Sequence, residues 1–143
     1  MQKELQSLLL PLYIRARETQ RPDPILTDDS AVELVQKLRF DDAQFSQANV
    51  SEEVQVSILL RNRQFDRITR DFLGRHSAAM VIQLGCGLDA RFERVDNQQV
   101  EWFDLDLPEV IRLRRELMGD ESCRYHLLES SALDLLWMDQ VSQ

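Results

Sequence analysis

The 143-residue sequence predicts an α/β fold in which a parallel sheet of three strands follows a helical region. Three observations predict it. The apolar run Met80-Val81-Ile82 stops abruptly at Gly85-Cys86-Gly87. A second strand-like run, Val100 to Leu105, carries Asp104 and is followed by Asp106, about twenty residues past the glycines. From the glycines onward strand-like and helix-like stretches alternate, which implies crossover connections, a parallel sheet and a ligand at the carboxyl ends of the strands.

Before the sheet, residues 1–75 read as a helical extension and residues 76–143 as the strand-bearing part. Lys3 to Arg17 has Leu5, Leu8, Leu9, Leu12 and Ala16 at helical spacing, interrupted by Pro11, so one or two short helices are expected. Arg21-Pro22-Asp23-Pro24 forces an extended connection. Thr27-Asp28-Asp29 then offers N-caps to a helix from about Ser30 to Leu38, whose face is Ala31, Leu34, Val35 and Leu38. Phe40 to Val50 is polar and reads as a loop.

Ser51 with Glu52 and Glu53 starts a long helix that Gly74 stops. Val54, Ile58, Phe65, Ile68 and Phe72 fall on one stripe of it, and the position completing the spacing is Arg61. A guanidinium is costly to bury unpaired, so Arg61 is expected to meet a carboxylate of the protein, such as Asp66, or an anionic group on a ligand.

Met80-Val81-Ile82 suits a strand buried on both faces, and two glycines at alternate positions let the backbone turn tightly and approach a ligand. Pro108 fits the first turn of a helix that runs through Val110, Ile111, Leu113, Leu117 and Met118 to Gly119. Arg124 to Leu128 is a third strand. Ser130-Ser131-Ala132-Leu133-Asp134 follows it, as a cap for a further helix or as a ligand contact.

Composition narrows the function classes. With 43% hydrophobic and 29% charged residues the chain has material for one globular core, and its formal net charge of −8 argues against a nucleic-acid backbone binder. No apolar stretch approaches the roughly 20 residues that cross a bilayer, and no signal peptide is legible, so a cytoplasmic setting is expected. Two cysteines and two histidines without Cys-x-x-Cys spacing predict neither a disulfide framework nor a metal site. Cys86 reads as a small residue packed under the turn rather than as a nucleophile.

The segments RNRQFD (61–66), VIQLGCGLDAR (81–91), WFDLDLPEVI (102–111) and SSALDLLWMD (130–139) resemble successive blocks of the leucine carboxyl methyltransferase family, which includes tetracenomycin-type polyketide O-methyltransferases. The resemblance runs from about Leu12 to Val141. It implies the Rossmann-like fold of S-adenosylmethionine-dependent methyltransferases, with helices added before the first strand. It also implies that Gly85 and Gly87 lie against the methionine part of S-adenosylmethionine and that Arg61 binds its carboxylate. Asp106 would take the ribose hydroxyls, with Asp104 the fallback, and Ser131 and Ala132 would lie near the adenine. Members of that family continue for another hundred residues or more, so only the first half of the sheet is expected here, with the acceptor pocket and any catalytic residue beyond Gln143.

The function so implied is O-methylation of a carboxyl or hydroxyl acceptor. The alternative is a cofactor-binding or interaction module that completes its sheet with a partner or, as a homo-oligomer, with a second copy through the edge of the first strand. A nicotinamide-dependent oxidoreductase is disfavoured, because the loop lacks the third glycine that opens a helix there; Asp89 stands where many methyltransferases carry a third glycine, and the family resembled typically carries Asp at that place.

Overall fold

The computed structural model describes residues 2–39 and 41–142, with the backbone alone at 2–6. The elements are α1 (Gln2–Thr19), α2 (Asp29–Leu38), α3 (Asp42–Gln47), α4 (Glu52–Arg75), β1 (Met80–Leu84), α5 (Arg91–Val95), β2 (Glu101–Asp106), α6 (Pro108–Met118), β3 (Tyr125–Glu129) and α7 (Trp137–Val141). They form two compact units: the described residues up to 70 together with 88–94, and residues 71–87 together with those from 95 onward.

In the helical unit, α1 is one helix that passes through Pro11 rather than two. The proline removes one backbone donor, and burial of Leu12, Tyr13, Ile14 and Ala16 on the same helix offsets that loss. Tyr13 and Ile14 pack with Leu26, Phe45 and Leu59 in one core cluster. Asp28 caps α2, its side chain accepting from Ala31 N at 3.0 Å. The expected loop from Phe40 to Val50 contains α3, and Phe40 itself lies outside the described residues. The helix forms because Asp41 and Gln44 make a reciprocal capping box, with Asp41 Oδ1 accepting from Gln44 N at 2.9 Å and Gln44 Oε1 accepting from Asp41 N at 3.0 Å.

The long helix α4 corrects the expected facing. Val54, Phe65, Ile68 and Phe72 are exposed, and the buried positions are Leu59, Asn62, Asp66 and Leu73. The polar side of the helix turns inward because Asp66 and Asn62 are required there by arginines of the same unit.

In the other unit the sheet order is β1-β2-β3 with both pairings parallel, and Gln83 is level with Asp104, which is level with Leu127. The middle strand β2 is buried from Trp102 to Leu105. Phe103, Leu105 and Leu128 pack under Trp137 on one face, while Ile111 and Leu127 pack with Cys86. β1 is not buried on both faces: it is an edge strand whose Met80 and Leu84 are exposed. Pro108 opens α6 at its first turn, and Gly119, at φ 96°, ends it. Among the described residues no helix is long and apolar enough to cross a membrane, and no group of three or more His, Cys, Asp or Glu is placed to hold a metal ion.

Candidate functional site

Gly85 and Gly87 have φ values of 67° and 51°, in the left-handed region where a Cβ is disfavoured. They turn the chain at the carboxyl end of β1. The turn hangs on β2, since Leu105 O accepts from both Gly85 N at 2.8 Å and Cys86 N at 3.2 Å. Gly87 N donates to Asp106 Oδ2 at 2.8 Å, and Leu107 N donates to Asp106 Oδ1 at 2.8 Å. Asp106 is half-buried. A carboxylate offers about four lone-pair sites, so these two bonds leave it able to accept from a ligand's hydroxyls. A Cβ placed on Gly85 would meet nothing within 4 Å, which shows open space beside the turn.

The turn after β3 joins the same edge, with Ser130 N donating to Asp106 O at 3.0 Å. Ser131 is half-buried and its Oγ accepts from Leu133 N at 3.2 Å; Ala132 is exposed and its carbonyl accepts from Trp137 Nε1 at 3.4 Å. Gly85, Gly87, Asp106 and the Ser131–Ala132 turn therefore gather at the carboxyl ends of three parallel strands.

Asp104 faces the interior instead. It is fully buried, and its carboxylate accepts from Trp102 Nε1 at 2.8 Å, Tyr125 OH at 2.8 Å and Arg114 Nη2 at 2.6 Å. Arg61 belongs to the helical unit, where it is exposed on the outer side of α4. It does not pair with Asp66, which is taken by Arg91 and Arg94.

Those two arginines belong to a buried charge cluster that the sequence reading missed. Arg94 donates to Asp66 Oδ2 at 2.7 Å, to Asp28 Oδ2 at 2.9 Å and to Asp89 Oδ1 at 2.8 Å. Arg91 reaches Asp66 Oδ1 at 2.8 Å, Asp89 Oδ2 at 3.0 Å and Asn62 Oδ1 at 3.0 Å. Arg15 binds Asp28 Oδ2 at 2.8 Å and the Leu88 carbonyl at 3.0 Å. Burial alone would push the Asp89 carboxyl up, but the guanidiniums of Arg15, Arg94 and Arg91 outweigh it and hold it down at about 2. The cluster fastens residues 88–94, the stretch that follows the glycines, to α1, α4 and the start of α2.

Arg114 was also missed, although a signal existed. It follows Ile111 by three positions and precedes Leu117 by three, so it stands in the apolar stripe of α6, and it is there, not at Arg61, that an arginine is buried and paired.

The sequence pattern of the leucine carboxyl methyltransferase family matches residues 9–137. The chain is 34% identical over 137 residues to the tetracenomycin polyketide synthesis O-methyltransferase TcmP of Streptomyces glaucescens, covering 95% of this chain and 49% of that protein. It is 30% identical over 143 residues to the S-adenosyl-L-methionine-dependent methyltransferase dpfgK of Gibberella zeae, covering 93% of this chain and 48% of that protein. The chain spans about half the length of these curated relatives. With nine-tenths of its residues inside the family pattern, the chain belongs to the leucine carboxyl methyltransferase family.

Proposed function

We propose that the chain binds S-adenosylmethionine at the Gly85–Gly87 turn and Asp106, and that it is an O-methyltransferase acting on a small-molecule carboxyl or hydroxyl group, or the amino-terminal portion of one. The observation that carries this reading is the meeting of a left-handed glycine turn and a half-buried carboxylate with spare acceptor capacity at the carboxyl end of a parallel sheet. The open space beside Gly85 and the spare lone pairs of Asp106 suit an adenosyl group and its ribose diol. Membership of the family and the name of the Gibberella zeae relative, an S-adenosyl-L-methionine-dependent methyltransferase, support the cofactor.

When bound, the cofactor supplies a methyl group activated on a sulfonium. The residues of this chain would bind and orient it. Asp106 accepts from the ribose hydroxyls, the glycine turn lets the backbone approach the methionine part, and Ser131 and Ala132 border the adenine; Arg61 is the residue that the family resemblance assigns to the carboxylate. Asp104, enclosed by three donors, supports the turn and drops out as the ribose ligand. Methyl transfer asks for in-line positioning in a site that excludes water, and a general base is needed only for a poorly ionised hydroxyl. No catalytic residue is assigned to this chain.

A second reading, an interaction module that completes its sheet with another chain, is favoured by one observation: β1 is an edge strand with exposed Met80 and Leu84. Calorimetric titration with S-adenosylhomocysteine tests the first reading. The wild-type chain should bind, and Asp106→Asn should weaken binding about tenfold or more, since hydrogen bonds to a charged acceptor are worth about 1.5–3 kcal/mol. Equal affinity in the two proteins would remove Asp106 from the site.

A further inference from the structure

The glycine turn is held from below by a buried polar strut. Arg114, on α6, is 1% exposed, and its guanidinium reaches in two directions. Nη2 donates to Asp104 Oδ2 at 2.6 Å, and Nη1 donates to the carbonyl of Gly87 at 2.9 Å. Nε donates to Tyr125 OH at 2.9 Å, and the same hydroxyl donates to Asp104 Oδ2 at 2.8 Å. The Gly87 residue is thus gripped on both sides, its carbonyl by Arg114 and its N–H by Asp106 at 2.8 Å.

A buried ion pair is a poor device for stability alone, because apolar side chains of similar volume often serve as well. What apolar side chains cannot do is donate to the Gly87 carbonyl. The planar fork of arginine spans the floor of the sheet and the turn at once, and Asp104 and Tyr125 fix the fork's orientation. We propose that Arg114 is a positioning residue for ligand binding at the Gly85–Gly87 turn, acting through the Gly87 carbonyl and oriented by Asp104 and Tyr125. The ligand named here rests on the cofactor reading above; the strut and its effect on the turn do not.

The test pairs Asp104→Leu with Arg114→Met, which removes both charges together and leaves neither buried alone. Two quantities are read on the 143-residue chain: amide hydrogen exchange at residues 85–88 without ligand, and the dissociation constant for S-adenosylhomocysteine by calorimetry. The double variant should keep a cooperative melt, exchange the amides of the turn about tenfold faster or more, and bind about tenfold more weakly. Arg114→Lys in the wild-type background, able to reach one acceptor at a time, should fall between. If the double variant does not fold, Tyr125→Phe, which frees the fork without removing a charge, should show the same two changes at smaller amplitude. Unchanged exchange in the folded variants overturns the strut. Faster exchange with unchanged affinity overturns its role in binding. Failure of the wild-type chain to bind overturns the cofactor reading and leaves the exchange measurement to decide the strut.

Discussion

Asp89 shows how single residues set the conditions under which the helical unit holds. Its carboxyl titrates at about 2 when folded, below the ordinary 3.8, because the guanidiniums of Arg15, Arg94 and Arg91 outweigh the cost of burial. A depressed folded value means that the stabilisation is fully present above about pH 4 and is lost as pH falls toward 2; it amounts to roughly 2 kcal/mol. Asp89→Asn should therefore lower stability at pH 6 but flatten its dependence on pH between 4 and 2, as read from melting curves across that range. An unchanged acid slope would assign the dependence to other carboxylates. Arg61 calls for the opposite kind of test. Because it is exposed and not paired with Asp66, Arg61→Lys should leave the melting temperature of the ligand-free chain unchanged within about 2 °C. If it grips the cofactor carboxylate, the same change should weaken binding severalfold, since lysine lacks the planar fork. A lower ligand-free melting temperature would instead mark Arg61 as structural.

The elements were legible to the extent that local signals decide them. The Gly-x-Gly break and the acid that closes β2 were both visible, as was the proline that opens α6, because each is a backbone requirement read from one or two residues. α3 was readable in principle from Asp41 and Gln44, whose capping box outweighs the polar look of the segment. The rotation of α4 was not readable from its own sequence. Its apolar stripe points outward because Asp66 and Asn62 answer Arg91 and Arg94, residues about thirty positions away. Leu59→Ala should consequently cost about 2–5 kcal/mol, whereas Ile68→Ala should stay within about 0.5 kcal/mol, as measured by denaturant unfolding. Equal costs would contradict the facing of this helix. The site divides in the same way. The places of Gly85, Gly87 and Asp106 at the strand ends were legible, whereas Asp104 and Asp106, two positions apart on one face of β2, are told apart only because Arg114 and Tyr125 enclose Asp104.

At the scale of the whole molecule, the sheet leaves β1 as an edge among the described residues, with Met80 and Leu84 exposed. An unpaired parallel edge of five residues offers a row of backbone groups to another chain. The isolated chain is expected to self-associate with rising concentration, seen as increasing mass in light scattering, and replacing the exposed Leu84, whose N–H faces away from β2, by proline should suppress it; a concentration-independent monomer would count against pairing through this edge. The central claim, that the carboxyl ends of the three strands form a cofactor site, is tested most directly by following backbone amide resonances during titration with S-adenosylhomocysteine. The account predicts saturable shifts that are largest at residues 85–87, 106–107 and 131–132. A titration that leaves those amides in place, or moves a different surface of the chain, would contradict it.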